Sequence, residues 1–207
     1  EIILSVLLVA AAKAESAASQ VTKHPVWANE DKLGQYQKAW KSIDQGAGTL
    51  YYLAKATYQD DIGAWGKKFR CLSVNETERN ETAKTVQSVF TFRNESSEGD
   101  DWYTVKELVK AVKEYNYTKN ENAIQYIING TTNLVDPLVF TDGKTCDLFH
   151  VPYADNNTGG FELWVNSAHI DDIPECCIFL LDFFRAKNST VYDIYNATEC
   201  NRSRTTS

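Results

Sequence analysis

The stretch GFELWV, residues 160–165, sets a carboxylate two residues from an indole. With the period of two of a strand, Glu162 and Trp164 point to one face and Phe161, Leu163 and Val165 to the other. The pairing of acid with ring recurs. ATYQDDIGAWG places Tyr58, Asp61 and Trp65 at a strand end and its turn, VKELVK carries Glu107, and AIQYII carries Tyr126. The same period groups Ala54, Ala56 and Tyr58 on one face, and Ile124, Tyr126 and Ile128 on another. Gathered around one cavity, such groups attract a protonated amine. A charge-assisted hydrogen bond contributes about 1.5–3 kcal/mol, and a ring face adds about 0.5–2 kcal/mol of cation–π attraction. Taken singly, each acid is equally well a turn cap or a side chain facing water.

Signatures of catalysis are missing from the sequence. It has no G-x-S-x-G, no H-E-x-x-H, no phosphate-binding glycine loop and no dinucleotide fingerprint. His24, His150 and His169 are isolated and expected to be structural. The five cysteines match no zinc spacing. The expectation is a binding protein, not an enzyme, with neither cofactor nor metal.

The elements that must position the acids are short. TLYYLAKATY, KFRCLSV, TVQSVFTFR, AIQYIIN, LVDPLVFT, CDLFHV and GFELWV are strand-like runs between polar, Asn/Gly/Asp-rich links. Leu33, Tyr36, Trp40 and Ile43 repeat as in a helix near the start, and Gly46 and Gly48 end it. Near the end, Pro174 opens IPECCIFLLDFFRAK, with Phe179, Asp182, Phe183 and Ala186 at helical spacing, and TVYDIYNATEC follows as an extended piece. In WYTVKELVKAVKEYNY two periods compete. Val105, Leu108, Val109 and Val112 fit a helix, while Val105, Glu107, Val109 and Ala111 fit one strand face, and the pattern leans to helix. Many strands with a helix at each end predict an all-β sandwich or antiparallel barrel, and about eight strands enclose one small ligand.

A net charge of −7 over 207 residues, without a clustered basic run, argues against nucleic acid and anionic membranes as partners. The apolar opening EIILSVLLVAAAKAES reads as what remains of a signal peptide whose initiator methionine is missing, covering residues 1–14, with cleavage as late as residue 19 as the alternative. Sequons occur at Asn75, Asn80, Asn94, Asn116, Asn129, Asn156, Asn188, Asn196 and Asn201, where chance pairing would give about two. Together with Cys71, Cys146, Cys176, Cys177 and Cys200, which suit two disulfides and a spare thiol, they predict a secreted glycoprotein. A monomer is expected, with a disulfide-linked dimer through Cys176 as the alternative.

In their order and spacing, AWKSI, YYLAKATYQDD…WG…FRC, AVKEYNY, ENAIQY, CDLFHVP, GFELW and DDIPECC resemble the histamine-binding salivary lipocalins of ticks, from about Val26 to Cys200. The resemblance implies an eight-stranded antiparallel lipocalin barrel with an N-terminal helix and a C-terminal helix packed outside. A single domain over 26–200 and a tail at 201–207 follow. It turns the segment holding Glu107 into a strand and implies disulfides Cys71–Cys200 and Cys146–Cys177, leaving Cys176 free. It further implies sequestration of a host amine, histamine or serotonin, which suppresses inflammation and haemostasis. The ligand set carried over is Tyr58, Asp61, Trp65, Glu107, Tyr126, Glu162 and Trp164, with Asp60 as rival to Asp61. A second, looser pocket keeps Asp147, but its other acid falls near Gly46, so one good amine site is expected. Ile124 and Val135 stand where similar proteins have phenylalanine, which implies a wider cavity. The same barrel holding a lipid mediator or sterol, or a module binding host immune proteins, is the alternative.

Overall fold

The computed structural model describes residues 24–46, 48–99, 101–128 and 132–200. The expected leader and the sequons at Asn129 and Asn201 lie outside the described residues. Eight strands form a closed wall: β1 (Leu50–Ala56), β4 (Arg70–Asn80), β5 (Thr85–Arg93), β6 (Tyr103–Val112), β7 (Ala123–Ile128), β8 (Thr132–Thr141), β9 (Cys146–Val151) and β10 (Gly160–Asn166). Each pairs antiparallel with the next, and β1 pairs with β10 from Tyr51↔Asn166 to Ala56↔Glu162, which closes the sheet. Closure leaves no long open edge, so the ladder groups are satisfied within the wall. Two-residue strands β2 (Asp60–Asp61) and β3 (Gly66–Lys67) make a hairpin beyond β1, and β11 (Tyr192–Asp193) pairs with β1 where β4 has left it.

The wall separates two apolar layers. Inside lie Leu53, Tyr58, Trp65, Phe69, Val86, Phe90, Val109, Leu138, Phe149 and Trp164; outside lie Tyr52, Ala54, Leu148, Leu163, Val165, Cys177 and Leu181. This accounts for the mixed character of β10. Glu162 and Trp164 face the interior, while Leu163 and Val165 are covered by the C-terminal helix Glu175–Phe184. Both faces are buried, one around a cavity and one in an ordinary core.

In β6 the strand face wins over the helical period, as the resemblance implied: Val109 and Ala111 are buried inside, whereas Leu108, which a helix would have buried, is 54% exposed. The ladder with β5, Val86↔Val109 through Phe90↔Val105, supplies what local periodicity leaves undecided. In β1 a register shift between Leu53 and Lys55 breaks the alternation, so Ala54 lies in the outer layer and Ala56 and Tyr58 in the inner one. The N-terminal helix is three short pieces, Glu30–Leu33, the 3₁₀ turn Gly34–Tyr36 and Ala39–Ile43. It breaks at Gln37, whose buried amide donates to the carbonyls of Trp27 (2.8 Å) and Val139 (3.0 Å) and accepts from Tyr117 Oη (2.5 Å).

Helix Ala39–Ile43 closes one end of the barrel with Ala39 and Ile43. The C-terminal helix buries Cys177 and Leu181 and leaves Phe179 and Phe183 exposed. Cys146–Cys177 pins it to β9 and Cys71–Cys200 ties the end of the chain to β4, while Cys176 is free and exposed. The segment read as a last extended piece is strand only over β11 and becomes a helical turn at Ala197–Cys200.

Candidate functional site

At the end opposite helix Ala39–Ile43, the strands β5, β7, β8 and β10 and the turns beside them bring side chains together. β10 carries Glu162, whose carboxylate accepts from Tyr58 Oη and, at 2.9 Å, from Trp164 Nε1. The tyrosine ring reaches it because Gly160 leaves room: a Cβ there would lie 2.5 Å from the ring. β8 carries Asp136, which accepts from Tyr126 Oη on β7, and Tyr126 meets Tyr153 Oη at 2.7 Å. The other carboxylate oxygen of Asp136, Oδ1, is buried and has no hydrogen-bond partner among the described residues. Phe90 stands against Trp65 (centroids 4.9 Å) and Trp164 (6.3 Å). The cavity they border has a volume of about 60 Å³.

The electrostatics favour a cation. Asp136 and Glu162 are 3% and 6% exposed, so each would be charged in a low dielectric. Burial pushes Glu162 up to about 7, although the bonds from Tyr58 and Trp164 favour the carboxylate. Burial and then the nearby charge of Glu162 push Asp136 well above the usual carboxylate range. An ammonium group would relieve both and could donate to Asp136 Oδ1.

Of the residues singled out in the sequence, Tyr58, Trp65, Tyr126, Glu162 and Trp164 come together in this interior. Asp61 sits at the rim: its Oδ1 accepts from the amides of Gly63 and Ala64 (3.1 Å each), and burial raises its pKa. Asp60 is exposed and accepts from the Lys68 amide at 2.9 Å. Glu107 borders a neighbouring recess with Val105, Trp65, Phe90 and Tyr126, and burial raises it too. Asp147 lies toward the closed end, where Ser42 Oγ donates to it at 2.7 Å. Glu76 also borders that end and accepts from Ser88 Oγ at 2.6 Å; burial pushes both acids up to about 7. Ile124 borders the cavity and Val135 does not, so of the two departures only Ile124 bears on its width. Sequence reasoning missed Asp136, Tyr153, Phe90 and Glu76.

A closed eight-stranded antiparallel barrel with small helices, around a largely apolar cavity that holds a few buried acids, is the architecture of a lipocalin. Residues 27–202 match the family described as tick histamine binding protein, and the chain belongs to that family. It is 39% identical over 181 residues to a male-specific histamine-binding salivary protein of Rhipicephalus appendiculatus, covering 86% of this chain and 88% of that protein. It is 34% identical over 183 residues to female-specific histamine-binding protein 1 of the same organism, covering 87% and 92%. Among solved structures, AM182 in complex with serotonin has the same fold, with TM-score 0.53, 21% identity and coverage of 79% of this chain and 92% of that one.

Proposed function

We propose that this protein is secreted and sequesters a protonated biogenic amine, histamine or serotonin, inside the barrel between Asp136 and Glu162, withdrawing a host mediator of inflammation and haemostasis. The observation that carries the reading is a pair of buried carboxyls on one cavity, each held by aromatic donors, with one acceptor oxygen of Asp136 left over. Its relatives' names, histamine-binding and salivary, support both the ligand class and secretion. Trp65, Phe90 and Trp164 supply ring faces for a planar ligand. Two buried acids are a poor lining for a lipid tail, which offers them no donor. Titration calorimetry of folded protein with histamine and with serotonin at neutral pH tests it: saturable heat from at least one is expected, and silence from both refutes it.

A further inference from the structure

Two features of the open end lie outside the amine site, an outer groove and the sequon Asn156-Asn157-Thr158. The groove, about 620 Å³, lies between the β2–β3 hairpin and the turn Ala154–Asn157 and is lined by Asp60, Asp61, Leu134, Tyr153 and Asn156 among others. Tyr153 lines the groove and meets, at 2.7 Å, Tyr126 Oη, which lines the buried cavity, so this pair of rings stands between the groove and the Asp136 side of the cavity. Asp155, Asn156 and Asn157 all hold positive φ (48°, 56° and 64°), which Asp and Asn tolerate best among residues with a side chain. Thr158 Oγ1 ties the turn by donating to the Asp155 carbonyl at 2.8 Å. Asn156 itself is exposed, and no hydrogen bond engages its amide among the described residues.

The other described sequons differ. The side-chain oxygens of Asn80, Asn94 and Asn196 accept from backbone amides, the Asn94 amide also donates to the Trp65 carbonyl, and the oxygen of Asn75 is buried. Asn116 and Asn188 are exposed, but neither lines the groove.

We propose that Asn156 is a glycosylation site set at the ligand entrance, and that its glycan slows the passage of amine in both directions without changing how tightly the amine is held. The gating part rests on the amine reading above. Transfer from a lipid-linked oligosaccharide joins Asn156 Nδ2 to the anomeric carbon of the first N-acetylglucosamine; the polyprenyl pyrophosphate leaves and the amide gives up one proton. A sugar over the groove touches neither carboxyl. It raises the barrier between free and bound states and leaves their difference alone, so association and dissociation slow by the same factor.

The test uses the full chain secreted from insect cells. Glycopeptide mass spectrometry is expected to find Asn156 occupied, and an unmodified Asn156 overturns the proposal. Stopped-flow tryptophan fluorescence with histamine and serotonin then compares wild type, Asn156→Gln and, as control, Asn188→Gln. Loss of the Asn156 glycan should raise both rate constants about threefold or more with Kd held within about twofold, and the control should change neither. Unchanged rates, or equal effects from both variants, overturn the gating role. Should Asn156→Gln fold poorly, endoglycosidase trimming of folded wild type and of Asn188→Gln gives the same comparison. Binding by neither protein overturns the amine reading and the gating with it, while the modification still stands or falls on the mass spectrum.

Discussion

Glu162 and Asp136 differ in what already holds them. Both oxygens of Glu162 are engaged, by Tyr58 and Trp164, whereas Asp136 keeps Oδ1 for a donor from outside the protein. Glu162 therefore contributes mainly charge, and Asp136 contributes charge and a direct acceptor. Glu162→Gln should weaken amine binding about 10- to 100-fold at neutral pH, the equivalent of about 1.5–3 kcal/mol, measured by calorimetry. Asp136→Asn should cost at least as much. Because one cation serves both acids, the double variant should lose less than the sum of the single losses. Unchanged affinity in either single variant removes that residue from the site. Glu162 was legible in the sequence because a ring stands two residues away on the same strand. Asp136, in LVDPLVFT, also alternates with apolar residues, Leu134 and Leu138, but its ring, Tyr126, comes from the neighbouring strand. A cross-strand partner leaves no local mark, and Tyr153, in a turn, leaves none at all.

Among the elements, the hairpin β2–β3 decides whether Trp65 stays in the cavity wall. Asn94, at the end of β5, holds the hairpin by donating to the Trp65 carbonyl at 2.9 Å, and Gly66 (φ +80°) lets it approach: a Cβ there would lie 2.7 Å from the Asn94 amide. Asn94→Ala removes this latch and should weaken amine binding about 3- to 10-fold, in line with the worth of one hydrogen bond. Asn94→Ala also deletes a sequon, so Ser96→Ala, which deletes the sequon and keeps the amide, is the control and should bind as wild type. Equal effects from the two variants would assign the loss to the glycan and not to the latch. The Cys71–Cys200 bridge fastens the segment that carries β11, so replacing both cysteines by serine should cost about 2–5 kcal/mol of stability in thermal or denaturant unfolding. Seven of the eight barrel strands were legible from alternation and flanking turns. The eighth, β6, was not, because its apolar residues satisfy two periods at once; the family resemblance made it a strand, and the ladder with β5 is what holds it so. The bulge in β1 was equally hidden, since one extra residue changes which face a side chain takes without changing composition.

For the whole molecule, gathering acids inside a barrel has a pH signature opposite in sign to that of surface ion pairs. Burial raises Glu76, Asp147 and Glu162 to about 7 and Asp136 well above its ordinary value. A carboxyl whose folded pKa is raised binds its proton more readily folded than unfolded. Its contribution to stability is therefore fully present below the unfolded value, 4.5 for a glutamate, and is lost as pH climbs through about 7. For Glu162 alone this is on the order of 3 kcal/mol. Glu30, which backbone amides of residues 118–120 hold at about 2 against the effect of burial, acts below 4.5 and leaves the higher window alone. Ligand-free protein should thus melt at a higher temperature at pH 5 than at pH 8. An ammonium ion in the cavity reverses the preference, because it is held best when the acids are charged. Added amine should raise Tm more at pH 8 than at pH 5, and affinity should fall by up to about tenfold per pH unit below 7 for each proton that must leave. Scanning fluorimetry across pH 5–8, with and without amine, measures both trends. A ligand-free Tm that rises with pH, together with an affinity indifferent to it, would mean that the barrel does not hold its acids as buried, unpaired charges, and the reason for it to capture a cation would be gone.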